Sequence, residues 1–309
     1  MKLLGPVPMP SILEQTPWPT GFFAFPDASP TNEYFNCSIV RKDERNVLIV
    51  RRRNHGWNTL EAWYLKGMKP TKRFPIRIPA TRSDEHWEDP RALVRNGTVI
   101  VSFCNFAGNT YAHQAITGLR PDWTAERPLR IKFGKNGDSL ETNVGHEKNW
   151  TWFVHDDGRL WFVYGLADGR QVVCKTANGK VQTLLESVAP TWDYGEIRGG
   201  TSPVKFDGHY WTFMHSSTNW VKPKRRYHMG ALRMEPHPPF RVNGISRAPI
   251  LSGSERDPRQ VNHPPCVFPC GAIHQPQTHD WLVTLGVNDC RCAWMRIPHR
   301  DLERSMYVC

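Results

Sequence analysis

The chain is 309 residues long with a formal net charge of +11, and it carries 39% hydrophobic residues, 13 tryptophans, 23 glycines and 26 prolines. That length allows one large domain or two ordinary ones with a real core, and the glycine and proline content excludes an architecture of long helices. No apolar run approaches the ~20 residues of a membrane span; the basic residues are scattered, with short runs at 51–53 and 222–226, so an anionic small substrate suits the charge better than nucleic acid.

The first residues hold a lysine but lack the apolar stretch of ~7–15 residues that marks a secretory signal, so a cytoplasmic protein is expected. Residues 1–30 are rich in proline and read as an irregular extension wrapping the surface of a single domain spanning 31–309. From there hairpin signals recur to the end of the chain. Residues 46–53 and 60–66 flank Asn54, His55 and Gly56, and residues 92–94 and 99–103 flank Asn96-Gly97, a strong short hairpin cue. Residues 150–154 and 160–164 flank Asp156, Asp157 and Gly158; 171–175 and 180–184 flank Asn178-Gly179; 202–206 and 210–214 flank Asp207-Gly208. Strand-like runs at 266–273, 281–285 and 290–297 complete the series, and no segment keeps helical apolar spacing over three turns. Evenly spaced hairpins without a clean repeat predict an all-β fold, a propeller ahead of a sandwich. In a propeller, polar residues remote in sequence meet at the central channel.

Eight cysteines at 37, 104, 174, 266, 270, 290, 292 and 309 are too dispersed for a disulfide framework, and Cys266, Cys270, Cys290 and Cys292 lack the usual zinc spacing. They read as reduced thiols.

Four polar clusters stand at strand ends. Phe35-Asn36 is followed by Arg51; Glu88-Asp89-Pro90-Arg91 precedes a strand; Gly195 to Thr201 leads to His215; and Gly286 is followed by Asn288-Asp289. Proline after Asp89 restricts its backbone and keeps it out of a helix, which presents the carboxylate at a strand mouth. Singly, each has a plain alternative: a turn-forming Asp, a loop ion pair, a packed histidine.

Taken in order, the clusters resemble glycoside hydrolase family 130, the five-bladed β-propellers that include inverting β-mannoside phosphorylases and β-mannosidases. The resemblance runs from about residue 31 to 297 and includes Lys148-Asn149-Trp150, Arg198-Gly199-Gly200-Thr201, Phe213-Met214-His215 and Tyr227-His228-Met229-Gly230. It implies a five-bladed propeller in which Asp89 is the general acid, its pKa lifted by Trp87 and Glu88. It also implies a phosphate site at Lys148, Asn149, Arg198 and His215. A sugar pocket would use Asn36, Arg51, Glu88, Arg91, Tyr227, Glu255 and Asp289. Trp57, Trp87 and Trp220 are candidate pyranose platforms.

The expected activity is phosphorolysis of a β-mannoside or related oligosaccharide with inversion, with inorganic phosphate as co-substrate and no cofactor or metal. The chain departs from the family pattern where 161–165 carry no arginine and where Ser216 follows His215. Arg170 and Arg226 are candidate replacements in space. An inverting hydrolase would need a base, from Glu196, Glu255 or Asp289. A β-mannosyltransferase on the same scaffold, and a non-catalytic glycan-binding propeller, remain as alternatives, and the oligomeric state is open, a homo-oligomer included.

Overall fold

The computed structural model describes residues 16–79, 85–107, 111–131, 148–177, 180–219, 225–253 and 264–309. Glu255 and Trp220 lie outside the described residues. After β1 (Thr20–Phe22) come β2 (Asn32–Lys42), β3 (Arg45–Asn54), β4 (Trp57–Lys66) and β5 (Lys69–Pro75), which form one antiparallel sheet. Strands β6 (Glu85–Arg95), β7 (Thr98–Ala107), β8 (Tyr111–Leu119) and β9 (Leu129–Arg130) form a second. Strands β10 (Thr151–Val154), β11 (Leu160–Ala167), β12 (Arg170–Ala177) and β13 (Lys180–Val188) form a third. A broader sheet takes β14 (Arg198–Gly199), β15 (Val204–Phe206), β16 (His209–Thr218), β17 (Arg226–Met234), β18 (Val242–Ser246) and β19 (Leu251–Ser252). Finally β20 (Val267–Gln275), β21 (Asp280–Val287) and β22 (Arg291–Pro298) form the last sheet, followed by α1 (His299–Ser305) and β23 (Met306–Tyr307), which returns to β18.

The all-β, propeller-like arrangement is therefore observed. Four sheets are four-stranded blades, and where a fifth regular blade was expected the chain builds a seven-stranded sheet with short split strands. The split has a local cause. Gly199 and Gly200 pass so close to Asn149 and Phe213 that a Cβ would lie 2.1 and 2.3 Å from their carbonyl oxygens, and β14 ends there before β15 resumes the pairing with β16. The N-terminal extension is corrected over Thr20–Phe22, which is a strand paired with β22 in register Thr20↔Met295. The first described segment thus supplies the fourth strand of the last sheet and closes the ring.

The hairpin turns follow the sequence signals. His55-Gly56, Asn96-Gly97 and Asp207-Gly208 all sit at positive φ at both residues, as tight turns between right-twisted strands require. Between sheets, the aromatics are filler: Trp152, Trp211 and Trp281 are wholly buried, and Trp211, Phe213 and Trp281 pack the seven-stranded sheet against the last one. Seven of the eight cysteines are buried within the sheets, and Cys309 is exposed. No helix among the described residues is long and apolar enough to cross a membrane.

The inner strands set up the site. A cavity of about 250 Å³ is lined by Ile39 on β2, Leu93 on β6, Phe153 on β10, Val204 on β15 and Ile273 on β20. Asn36, Asp89, Asn149 and Arg198 each precede those lining residues in the chain, so they gather at the opposite end of the axis.

Candidate active site

Asn36 and Asp89 are placed by β-bulges. The β2–β3 register shifts between Phe35 and Cys37, and the β6–β7 register shifts between Glu88 and Arg91. At the bulges Asn36 and Asp89 adopt left-handed backbone, φ 51° in both, and Asn149 (66°), Asn288 (53°) and Asp289 (50°) do the same at neighbouring strand ends. Asn and Asp tolerate this conformation better than other non-glycine residues, and bulges re-aim side chains out of the ladder. Asp89 thus reaches its position by a left-handed kink at the bulge, outside any helix as Pro90 led one to expect.

One amide ties two carboxylates together: Asn36 Nδ2 donates to Asp89 Oδ1 at 2.8 Å and to Asp289 Oδ1 at 3.3 Å. Asn36 is held against Gly286, where a Cβ would lie 1.7 Å from Asn36 Oδ1. Arg51 bridges the acidic pair of the motif, donating from Nη1 to Asp89 Oδ1 at 3.2 Å and from Nη2 to Glu88 Oε1. Asn58 fixes both ends of that bridge. It accepts from Arg51 Nε at 3.0 Å and donates to Glu88 Oε1 at 3.0 Å. Arg53, two residues on and so on the same face of β3, pairs with Glu33 and donates to the Asp289 carbonyl at 3.4 Å. Arg51 and Arg53 both lie over the Phe35 ring, at 4.5 and 4.7 Å.

Burial pushes the Asp89 carboxyl up, but Arg51, Arg91, Lys148 and the Asn36 hydrogen bond together outweigh it and hold the group below the usual carboxylate range. Glu88 goes the other way, raised chiefly by burial against the opposing pull of Arg51. The expected lift of Asp89 by Trp87 and Glu88 is therefore corrected: the free site keeps Asp89 ionised among cations, while Trp87 packs into the cluster around Ala92 and Phe103. Two carboxylates sharing one guanidinium titrate as a pair, and in this pair Glu88 is the member that takes up a proton first as pH falls.

Arg91, expected in the sugar pocket, is buried and fully engaged with backbone and side-chain acceptors. Its guanidinium donates to the Gly200 carbonyl at 2.6 Å, the Gly199 carbonyl at 3.2 Å and Asn149 Oδ1 at 3.1 Å. It joins β6 to β14 and to Asn149 ahead of β10, and so ties three sheets together.

The other expected donors converge on the same end of the axis. Lys148 Nζ lies 4.5 Å from the Phe106 ring centre and bears electrostatically on both Glu88 and Asp89. Arg198 is opposite His215 in the β14–β16 register, and its Nη2 is 3.6 Å from Glu196 Oε2. His215 is fully buried and held well below the usual imidazole range, first by burial and then by Arg91 and Arg198, so it is neutral. Its Nδ1 is buried without a hydrogen-bond partner. Tyr227 lies nearly parallel to His215, ring centres 6.1 Å apart, with its hydroxyl pushed up to about 12 by burial.

Of the candidate replacements for the missing arginine, Arg170 pairs with Glu186 on the exposed side of β12 and Arg226 is exposed at the start of β17. Arg225 instead lies 4.7 Å over the Tyr227 ring and donates to Ser217 Oγ at 3.2 Å. Sequence reasoning missed Arg225, Asn58 and Arg53. Only period-two alternation from Arg51 pointed to Arg53, and nothing local pointed to the others. Of the platforms, Trp57 is 55% exposed on the β3–β4 hairpin. Of the candidate bases, Asp289 is in the cluster, and Glu196 is a rim residue paired with Arg198.

No family model matches the chain, and no curated protein matches it. Solved structures do. A β-1,2-mannobiose phosphorylase from Listeria innocua, in complex with β-1,2-mannobiose, is 14% identical, with 91% of this chain and 94% of that one covered at a TM-score of 0.66. A structure from the GH130 family of mannoside phosphorylases, described for glycoside hydrolases that target β-1,2 mannosidic linkages in Candida mannan, is 16% identical over 87% and 85% at 0.66. A GDP-Man-dependent mannosyltransferase from Leishmania mexicana is 11% identical over 93% and 92% at 0.59. At these identities the shared feature is the fold, and it is the fold the ordered motifs resembled.

Proposed function

We propose that the chain is a carbohydrate-active enzyme that cleaves or forms a β-mannosidic bond with inversion, using inorganic phosphate as the nucleophile and Asp89 as the general acid. The observation that carries this reading is the convergence of Asp89, Asn36, Arg51 and Asp289 with Lys148, Arg198 and His215 at one end of the propeller axis, drawn from all five sheets.

The chemistry follows from those roles. Asn36 and Asp289 hold sugar hydroxyls, and the glycoside displaces water and takes up Arg51's donors. Asp89, deprived of that compensation and buried further, takes a proton from solvent as the glycoside binds and passes it to the glycosidic oxygen as the C1–O bond breaks, the leaving sugar departing as its alcohol. A phosphate oxygen forms the new bond to C1 from the opposite face, giving the sugar 1-phosphate. Lys148 and Arg198 supply charge to the phosphate, and neutral His215 supplies a hydrogen bond.

Hydrolysis by the same site needs a second carboxylate ~6.5–9.5 Å from the acid with water between them. Asp289 shares a single donor nitrogen with Asp89 and so stands closer than that. Phosphate, which needs no base, fits the described residues better. One observation favours transfer from a sugar nucleotide as a second reading: 161–165 lack an arginine and Arg225 is held on Tyr227, which alters the anion site. Incubation with β-mannobiosides, with and without phosphate, and with GDP-mannose separates the readings. Phosphate-dependent mannose 1-phosphate supports phosphorolysis, free mannose supports hydrolysis, nucleotide release supports transfer, and no product in any arm sinks the enzymatic reading.

A further inference from the structure

The outermost strands of the sheets are unequal in a way that the proposed reaction does not use. An outer strand presents unpaired backbone groups, and proteins guard such edges with short strands, prolines and lysines. Here β1 has three residues, β9 and β23 have two each, and β5 carries Lys69, Pro70, Lys72, Arg73 and Pro75 in its seven. The exception is β13. It runs nine residues, KVQTLLESV, with no proline and one lysine at its start, and among the described residues its only strand partner is β12. Its side chains alternate: Val181 and Leu185 pack inward on the clusters of the third sheet, while Lys180, Gln182, Leu184, Glu186 and Val188 are exposed. Leu184 and Val188 are exposed at 36% and 81%, unusual for apolar side chains of a strand.

The sequence of β13 is complementary to itself in reverse. An antiparallel pairing of two copies about a two-fold axis at Leu184 sets Leu184 against Leu184, Gln182 against Glu186 and Lys180 against Val188. On the same face it makes Lys180 the diagonal neighbour of Glu186 in the other copy, within reach of long side chains. The arrangement is isologous and closed, so it ends at two copies. We propose that β13 is a self-association surface through which two copies of this chain pair antiparallel about Leu184, joining two four-stranded sheets into one continuous sheet. The dimer axis lies on the rim of the propeller, away from Asp89, and each copy keeps a complete site.

Sedimentation velocity of the full chain over a wide concentration range tests this. The expected result is a concentration-dependent species of about twice the 35.6 kDa chain mass. Leu184→Lys sets two lysines against each other on the axis and is expected to return the protein to one-chain mass with its melting temperature and activity unchanged. Lys180→Glu alone is expected to weaken association several-fold, and Lys180→Glu with Glu186→Lys to restore it, which a general effect of charge on solubility does not do. A single one-chain species at every concentration, a dimer unmoved by Leu184→Lys, or failure of the charge swap to restore association overturns the proposal.

Discussion

At the residue scale the account rests on Asp89 and its immediate partners. Asp89→Asn keeps the Asn36 and Arg51 geometry but removes the proton donor, so turnover is expected to fall by ~10²–10⁴ with folding intact. A non-catalytic propeller predicts glycan binding and no such loss, so product formation by Asp89→Asn at the parent rate sinks the assignment. Glu88 shares Arg51 with Asp89, and like charge on Glu88 favours the protonated form of its neighbour. Glu88→Gln is therefore expected to move the alkaline limb of the kcat profile, which reports the substrate-bound site, to lower pH; an unmoved limb shows that the two carboxylates do not titrate together. Gly286 gives a steric test of Asn36. A Cβ there would lie 1.7 Å from Asn36 Oδ1, so Gly286→Ala is expected to cost roughly 1–3 kcal/mol and to raise KM. Adding Asn36→Ala relieves the clash, and the stability losses are expected to be non-additive; additive losses rule out the contact as the cause. At this scale the sequence was most legible where backbone and chemistry coincide. Asp89 announced itself through Pro90, and Asn36, Asn149 and Asn288 are residue types that tolerate left-handed backbone. The sign of the Asp89 pKa was not legible, because it depends on Arg51, Arg91 and Lys148 arriving from three other places in the chain.

At the scale of elements, the hairpins were legible and their partners were not. Asn54-His55-Gly56, Asn96-Gly97 and Asp207-Gly208 mark turns by local backbone preference alone, whereas Asn58 reaches Glu88 only through the stacking of one sheet on the next. The contact between the seven-stranded sheet and the last sheet shows what such stacking does energetically. His274, His279 and His299 surround Phe206, Trp211 and Trp281 there, with Phe206 stacked on His274 at 3.5 Å and Trp281 donating to His299 Nδ1 at 3.0 Å. Burial, then His299 and His279, lower His274 to about 4. The folded chain thus keeps this ring neutral at pH values where the unfolded chain, with an ordinary imidazole near ~6.5, already binds a proton. The stability it contributes is complete above the unfolded value, declines as pH falls from there towards about 4, and levels off below. The melting temperature is expected to drop across that window and to drop less in His274→Gln; identical pH profiles for the two proteins rule out this cluster as the source.

At the scale of the whole molecule, the site exists only because the ring is closed. Asn36 and Arg51 come from the first sheet, Asp89 from the second, Lys148 from the approach to the third, Arg198 and His215 from the broad sheet, and Asp289 from beyond β21 in the last. Closure is made by residues that read as an irregular extension, since a strand of three residues is too short to show a period-two pattern. Thr20–Phe22 pairs with β22, while Phe23 and Phe25 are buried, Phe25 stacking on Tyr34 of β2 with ring centres 4.3 Å apart. The segment therefore bonds to the last sheet and packs on the first, adding a tie between them beside the direct contact in which Thr284 Oγ1 donates to the Cys37 carbonyl at 2.6 Å. Losing one buried phenylalanine costs about 3–5 kcal/mol, so a chain starting after Phe25 is expected to be destabilised by at least that amount. Because the blades are held largely by their own ladders, far-UV circular dichroism at low temperature is expected to change little, while activity falls by a much larger factor. A truncated chain that retains full kcat/KM despite a lowered melting temperature shows that the last and first sheets hold their positions without the N-terminal strand.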